Sequence, residues 1–376
     1  MVLHTDLAVE DTGEIDQQLR RSEADVLSNG GMMSNDQRPA SADTTLPKHP
    51  ISPTKIADKR CNRKIRLKPS KLSPITISIP DTGSYTAAIE THVRKLVGNL
   101  KGTSLETIRE AAFELRLLAK DEDNRILIAN CDGINSLIHL LRSPDLMIQE
   151  HAVTAILNLS ISDNNKILIA NFDAIEPLIH VVQKGTPEAR ENTAATLSSL
   201  CKFEKVNIQI GNSGAIGPLV ELLGNGSPHG KKDAATALFH LSTMTENKLG
   251  IAKSGAVKHL IDLMDPAIGL VDRATVVLAN IATIPEGRSA IAQEGGIPLL
   301  VEAIELGSQR VKENAAAALW LFCSDSKSNK YCRRLLEEGA APPLVALSTS
   351  GTARAREKAT KILNHLRNLP RYGRRG

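Results

Sequence analysis

The stretch Ile134-Asn135-Ser136-Leu137-Ile138-His139-Leu140-Leu141 recurs in altered form along the C-terminal three quarters of the chain. Its first apolar residue has equivalents at Ile175, Ile216, Val257, Ile297 and Ala341, at intervals of 41, 41, 41, 40 and 44 residues. Self-similarity at this period indicates a helical solenoid, in which each unit buries its apolar face only against its neighbours. The sequence therefore predicts a binding surface rather than an enzyme with an enclosed pocket.

Each repeat begins with a short apolar segment that a special backbone position ends. Segments such as Lys166-Ile167-Leu168-Ile169 are too short to be stable helices alone. A few residues later, two units have Asp132 or Asp173, and the others have Gly at 214, 255, 295 and 339. Gly adopts a left-handed backbone freely and Asp tolerates it. We therefore expect this position to end one helix and redirect the chain into the next.

The rest of each repeat contains two further helical segments. The second has apolar residues at helical spacing, and the third is longer and rich in Ala, as at 313–320. This order is that of an armadillo repeat, so we predict an all-α, armadillo-type α-solenoid over residues 88–368. It would be a right-handed superhelix of about six to seven three-helix units. The predicted units are 88–119 (partial), 120–160, 161–201, 202–242, 243–282, 283–323 and 324–366.

Composition narrows the functional classes. Hydrophobic residues make up 41% of the chain and aromatic residues 2%, which suits stacked Leu- and Ala-rich helices better than a compact α/β enzyme core. The five cysteines have no paired spacing, as expected of reduced thiols in the cytoplasm, the nucleus or both. No apolar run is long enough to span a bilayer. We recognise no catalytic constellation, cofactor motif or metal motif, which favours a non-enzymatic role.

Residues 1–87 are polar, lack periodicity and are predicted to be disordered. They include a basic stretch, 55–71, whose cations are Lys59, Arg60, Arg63, Lys64, Arg66 and Lys68. This stretch is either a nuclear-import signal or anionic-surface contact, or a solvated basic linker. A second basic tail is expected at 369–376. The net charge of +4 is too small to imply nucleic-acid binding, and no aromatic residues are interleaved with the cations.

In an armadillo stack the third helices line the concave side, and equivalent positions form columns along that groove. The residues that we predict to contact a partner protein there are Thr154, Asn158, Glu191, Ser199, Thr236, His240 and Asn280. A mostly acidic column contains Glu150, Glu191, Lys232, Asp272, Glu313 and Glu357. Those carboxylates either attract a positively charged partner segment or complement the dipoles of the helix N-termini.

The residues Gln149-Glu150-His151-Ala152-Val153-Thr154-Ala155-Ile156-Leu157-Asn158-Leu159-Ser160, with Asn164-Asn165-Lys166 after them, resemble the armadillo repeats of plant U-box ubiquitin ligases. The resemblance covers nearly all of 88–368. It implies that the array recognises a ubiquitination substrate or a receptor kinase, while a separate U-box recruits the ubiquitin-conjugating enzyme. Residues 1–87 do not resemble a U-box. The resemblance therefore implies a recognition scaffold that works with a ligase in trans or in kinase signalling.

A second interpretation is a nuclear-import cargo adaptor, which is also built from armadillo units. Such receptors resemble one another in a ladder of Trp and Asn residues along the groove. Here only Asn158 and Asn280 occupy the Asn column, and Trp320 is out of register. Two such hydrogen bonds, at about 1 kcal/mol each, fall short of the roughly 8 kcal/mol of micromolar binding.

Overall fold

The computed structural model describes residues 82–324 and 329–369, which form twenty α-helices and one short 3₁₀ helix and no β-strand. The predicted all-α armadillo architecture is confirmed over these ranges. The basic stretch 55–71, nearly all of the predicted disordered region and residues 370–376 lie outside the described residues.

Seven consecutive units contain the helices, numbered here in chain order. Unit 1 contains α1 (Thr82–Leu100) and α2 (Leu105–Leu118). Unit 2 contains α3 (Glu122–Asn130), α4 (Gly133–Leu140) and α5 (Leu146–Leu159). Unit 3 contains α6 (Asp163–Asn171), α7 (Ile175–Lys184) and α8 (Pro187–Leu200). Unit 4 contains α9 (Glu204–Asn212), α10 (Ile216–Asn225) and α11 (Pro228–Thr243). Unit 5 contains α12 (Thr245–Lys253), α13 (Ala256–Asp262), the 3₁₀ helix (Pro266–Ile268) and α14 (Val271–Ile281). Unit 6 contains α15 (Pro285–Gln293), α16 (Gly296–Leu306) and α17 (Gln309–Ser324). Unit 7 contains α18 (Lys330–Glu337), α19 (Ala341–Ser350) and α20 (Ala353–Arg367).

The predicted left-handed positions between first and second helices are confirmed. Asp132 has φ 61° and Asp173 has φ 54°. The four glycines at this position also have positive φ, with values of 88°, 82°, 75° and 73° at 214, 255, 295 and 339. Most L residues other than Asn and Asp would strain the backbone there. This column is therefore the local signal that sets the three-helix pattern.

The core is continuous because each unit contributes equivalent apolar residues to it. First helices supply a fully buried Ile at 128, 169, 210, 251 and 291, and Leu335 in unit 7. Third helices of successive units pack against each other, and buried alanines such as Ala155, Ala237 and Ala318 allow their close approach. The four described cysteines are buried and form no disulfide.

Two details differ from the predicted pattern. Helix α1 begins at Thr82 rather than near residue 88; its first turns contain no large aliphatic side chain before Ile89, so the amphipathic pattern does not reveal them. In unit 5, α13 is short, and the 3₁₀ helix and Gly269, at φ 73°, replace the usual loop before α14.

Candidate functional site

The candidate site is the third-helix face, defined as the side of α2, α5, α8, α11, α14, α17 and α20 on which five positions per unit lie at helical spacing. Column I contains Glu106, Met147, Glu188, His229, Gly269, Arg310 and Arg354. Column II contains Arg109, Glu150, Glu191, Lys232, Asp272, Glu313 and Glu357. Column III contains Glu110, His151, Asn192, Asp233, Arg273, Asn314 and Lys358. Column IV contains Phe113, Thr154, Ala195, Thr236, Val276, Ala317 and Lys361. Column V contains Leu117, Asn158, Ser199, His240, Asn280, Leu321 and His365.

Three residues of column V connect their third helix to the preceding unit. Their donors reach back by one unit: Asn158 Nδ2 to the Arg116 carbonyl at 3.1 Å, Ser199 Oγ to the Ser160 carbonyl at 3.0 Å, and Asn280 Nδ2 to Ser242 Oγ at 2.9 Å. In the same column, the carbonyl of His240 accepts from Asn207 Nδ2 at 2.8 Å. These predicted site residues therefore stabilise the stack itself.

Columns III and IV form a second set of bridges between units. Thr154 Oγ1 accepts from Asn192 Nδ2 at 2.8 Å, and Thr236 Oγ1 accepts from Arg273 Nε at 2.8 Å. In unit 1 the bridge is aromatic, since the rings of Phe113 and His151 lie 5.2 Å apart.

A bridge of this kind is absent where column IV has Ala195, Val276 or Ala317. Column IV has Val276 in unit 5, and its apolar side chain cannot accept a hydrogen bond. The column III residue of the next unit, Asn314, has a buried amide nitrogen without a partner among the described residues.

Column II explains the acidic residues found in the sequence. Its carboxylates accept from the N-cap hydroxyl of the next third helix: Glu150 from Thr186 at 2.5 Å, Glu191 from Ser227 at 2.5 Å, Asp272 from Ser308 at 3.1 Å and Glu313 from Thr352 at 2.6 Å. Between units 1 and 2 the charges are exchanged, with Arg109 donating to the N-cap Asp145 at 2.7 Å. Each carboxylate thus joins two units, a role beyond the two weighed from the sequence.

Four predicted site residues have little surface for a partner. Thr154 is 9% exposed, Asn158 5%, Thr236 4% and Asn280 7%. The Nδ2 atoms of Asn158 and Asn280 already donate within the chain. For cargo clamping by an Asn ladder, the mechanism of the alternative import adaptor, each of these buried amides therefore has one of its two N–H donors already used.

The sequence interpretation did not include the exposed charges of columns I and III. Among them are Glu106, Glu110, Glu188 and Arg354. Stepping along each helix by four residues selects columns II, IV and V and passes over these two. The 3.6-residue period of the α-helix would have included them.

In unit 4, positively and negatively charged groups of the face lie close together. Burial raises the pKa of Asp233 to about 6, although His229, Lys232 and Arg273 favour its charged form. His229 Nε2 lies 3.4 Å from Asp233 Oδ2. Burial also lowers the pKa of Arg273. The charges of unit 4 therefore face one another and balance locally.

Other classes of site are not found in the described parts of the chain. No described helix combines the length and apolarity that crossing a membrane requires. Among residues 82–324 and 329–369, no three His, Cys, Asp or Glu side chains are grouped so as to hold a metal ion.

Comparison with known proteins follows the same architecture. Residues 92–371 match the family model described as the plant U-box protein ARM repeat region. U-box domain-containing protein 4 of Arabidopsis thaliana is 70% identical over 282 residues, which are 74% of this chain and 34% of the relative. U-box domain-containing protein 12 of Oryza sativa subsp. japonica is 66% identical over 270 residues, 71% of this chain and 44% of the relative. The chain therefore spans less than half the length of these curated relatives.

Solved structures with the same fold include designed repeat proteins. An engineered protein superposes with a TM-score of 0.63 at 27% identity, covering 74% of this chain and 69% of that chain. A designed armadillo repeat protein in complex with the peptide (KR)4 has a TM-score of 0.54 at 21% identity, covering 62% of this chain and 99% of that chain.

Proposed function

Because the chain belongs to the family of plant U-box protein armadillo repeat regions, we propose that it is a protein-interaction scaffold that binds a partner segment along its third-helix face. The observation that carries this proposal is the face itself. Seven third helices pack in series, and all except that of unit 2, whose polar groups on this face are buried, present exposed or half-buried polar and charged side chains there.

The dimensions of the face suit an extended polypeptide. Packed helices lie about 10 Å apart, so six steps between seven third helices span roughly 60 Å. An extended segment of about 18 residues covers that length at about 3.3 Å per residue. The designed armadillo neighbour was solved with a bound peptide, and we extend peptide binding to this chain as part of the proposal.

The binding test uses exposed residues of the face, because buried ones would also change stability. Glu110→Arg with Glu188→Arg alters two exposed carboxylates of the third helices, while Glu302→Arg with Glu305→Arg makes the same change on α16. A partner captured by the full chain would be identified, purified and titrated against each variant. We expect the first pair to weaken binding by about tenfold or more, and the α16 pair to leave it unchanged. Equal binding by all three proteins would contradict the proposed face.

The partner is proposed to be a ubiquitination substrate, a ligase or a receptor kinase, as in relatives that carry a U-box. The chain would then supply recognition, and a ligase acting in trans would supply the transfer of ubiquitin. In an assay with purified activating and conjugating enzymes, we expect no ubiquitin chains from this protein alone. Adding a U-box ligase that binds the same partner should modify that partner. Strong chain formation without the added ligase would contradict this division of roles.

Residence in the cytoplasm, the nucleus or both is a separate proposal, for which the support is the basic stretch 55–71. A fluorescent fusion of the full chain would be compared with one in which Lys64, Arg66 and Lys68 are changed to Ala. Loss of nuclear signal in the variant supports a nuclear-import signal. An unchanged distribution supports a solvated linker.

A further inference from the structure

We propose that the partner segment is bipolar, with basic residues at the end that lies over units 1–3 and acidic residues at the end that lies over units 5–7. This inference rests on the proposed function and specifies the partner of the same face. Its basis is a reversal of charge between the two ends of columns I to IV.

The first three units present an acidic surface. In columns I to IV they contain one cation, Arg109, and five carboxylates: Glu106, Glu110 and Glu188 are exposed, Glu191 is half-buried, and Glu150 is buried. The side chains of Glu106 and Glu188 are 71% and 55% exposed. Glu110 is exposed and has no ion-pair or hydrogen-bond partner among the described residues. A positively charged segment would find its complement here.

The half-buried cations at this end do not cancel the acidic surface. Arg109 is engaged by the N-cap carboxylate Asp145 at 2.7 Å and by Glu106 at 3.0 Å. Arg116, beside column V, pairs with Glu188 at 3.2 Å. Each cation thus satisfies one or two carboxylates, and Glu110 has no cation of its own.

The last three units present the opposite charge. Their cations in columns I to IV are Arg273, Arg310, Arg354, Lys358 and Lys361. Column I, which has Glu at units 1 and 3, has Arg at units 6 and 7. Column III likewise changes from Glu110 at unit 1 to Lys358 at unit 7. Burial lowers the pKa of Arg273, and the nearby charge of Arg310 lowers it further; an acidic ligand would favour the charged form of Arg273.

The carboxylates at the basic end are already engaged within the chain. Asp272 and Glu313 accept from the hydroxyls of Ser308 and Thr352, and Glu357 pairs with Lys361 at 2.5 Å. Glu313 also lies 3.7 Å from Arg354. Arg310 and Lys358 have no partner of this kind in the described chain. The surplus of cations therefore remains available to a ligand.

Asn314 supplies an independent observation at the same end. It is 6% exposed, and its amide nitrogen has no acceptor among the described residues. It is one helical turn from Arg310 on α17, in the position from which Asn192 and Arg273 donate to their neighbours. A ligand carboxylate held by Arg310 would bring an acceptor to this donor.

The spacing of the two ends sets the length of the partner segment. Unit 2 and unit 6 are the centres of the acidic and basic ends, and four steps of about 10 Å separate their third helices. An extended chain crosses roughly 40 Å in about 12 residues. The basic and acidic clusters of the partner should therefore be centred about 12 residues apart.

The test uses the full chain and four synthetic peptides of about 18 residues: bipolar Lys/Glu, all-Lys, all-Glu and uncharged. Fluorescence anisotropy should give a Kd for the bipolar peptide about tenfold lower than for either single-sign peptide, with the difference shrinking as salt is added. A photocrosslinker at the acidic end should react with units 5–7. Equal affinities for all charged peptides, or crosslinks from the acidic end to units 1–3, would overturn the inference.

Charge reversal at one end gives a sharper form of the test. The variant Arg310→Glu, Arg354→Glu and Lys358→Glu should remove the advantage of the bipolar peptide and strengthen binding of the all-Lys peptide. The matched control, Lys184→Glu, Lys253→Glu and Lys258→Glu, makes the same change in net charge on α7, α12 and α13. If the control has the same effect as the first variant, the preference follows net charge and the inference is wrong.

The two proposals fail in different ways. If a captured partner protein protects the third-helix face in hydrogen exchange while the bipolar peptide shows no preference, the scaffold proposal stands and the bipolar partner is rejected. If the captured partner protects only first or second helices, the face itself is wrong, and both proposals are rejected.

Discussion

Two neighbouring junctions of the solenoid are joined in different ways. Between units 3 and 4, Glu191 accepts the hydroxyl proton of Ser227, and Ser227 in turn caps α11. Between units 4 and 5, column II has Lys232, and α14 begins after Leu270 without a side-chain cap. The loop before α14 contains instead the 3₁₀ helix and the left-handed Gly269.

This difference shows that column II and the following N-cap vary together. A carboxylate in column II accompanies Ser or Thr at the cap, Arg109 accompanies Asp145, and Lys232 accompanies a cap without a side-chain hydrogen bond. The pair must match because an unpartnered, partly buried charge is costly. Each column II residue and the N-cap residue that it contacts therefore form a pair that joins two units, called here a junction pair.

The largest effect is expected from Ser227→Ala, in the junction pair between units 3 and 4. The change removes the cap of the His229 and Gly230 amides and leaves Glu191 without its donor. We expect a loss of about 2 kcal/mol in the free energy of local opening of α11, measured by native-state hydrogen exchange. Ser348→Ala is the control, since its hydroxyl is exposed and donates only to the Val345 carbonyl. An equal loss of local stability in the control would contradict the role of the Glu191–Ser227 junction pair.

A double-mutant cycle measures the coupling energy of the Glu191–Ser227 junction pair. The substitutions Glu191→Ala and Ser227→Ala should show a coupling of about 1 kcal/mol, because each alone already breaks the shared hydrogen bond. Pairing Ser227→Ala with Glu246→Ala, a residue of α12 that follows the C-terminus of α11, should give additive effects. Additive effects in the first cycle would show that Glu191 and Ser227 stabilise the stack separately.

These junctions also show where sequence reasoning succeeds and where it stops. The three-helix pattern could be predicted because Asp132, Asp173 and the equivalent glycines meet a purely local demand for positive φ. The role of Glu191 is not local, since its partner Ser227 belongs to the next unit. The constant interval of 36 residues in Glu150/Thr186, Glu191/Ser227 and Asp272/Ser308 was nevertheless available as a signal.

The site residues illustrate the same limit. Asn158 and Asn280 were assigned to the third-helix face, and the column alignment places them there. Whether their amides point to a partner or to the previous helix depends on side-chain rotamers and on the packing of the neighbouring helix, which periodicity does not contain. The irregular start of α14 was also beyond prediction, because the interval shortens by only one residue in unit 5.

The junction between units 1 and 2 should respond to pH. The hydrogen bond from Arg109, with those from the amides of Ile148 and Met147, lowers the pKa of Asp145 below its usual value. Its stabilising contribution is therefore complete above about pH 4 and is lost as the pH falls through the lowered pKa. Near neutral pH we expect the melting temperature of the wild type to be higher than that of the Asp145→Asn variant. In acid we expect this difference in melting temperature to disappear. The effect should be smaller than that of Ser227→Ala, because water screens the partly exposed Arg109. A difference that stays constant with pH would exclude this ion pair as its cause.

The smallest effect is expected where a bridge is missing. Val276→Thr would give column IV of unit 5 the hydroxyl that Thr154 and Thr236 provide in units 2 and 4, and Asn314 would gain the acceptor that Asn192 has. Val and Thr are close in shape, and Val276 is only partly buried, so little apolar burial is lost.

The expected result for Val276→Thr is a gain of about 0.5–1 kcal/mol in the local stability of α17, measured by hydrogen exchange. Val276→Ala, which adds no acceptor, should not stabilise α17.

Val276→Thr also distinguishes two possible roles of the Asn314 amide nitrogen. If this nitrogen serves only to join units 5 and 6 and lacks an acceptor because column IV has Val276, Val276→Thr will stabilise the chain and leave peptide binding unchanged. If the nitrogen is kept open for a ligand carboxylate, the stabilised variant will bind the bipolar peptide more weakly than wild type.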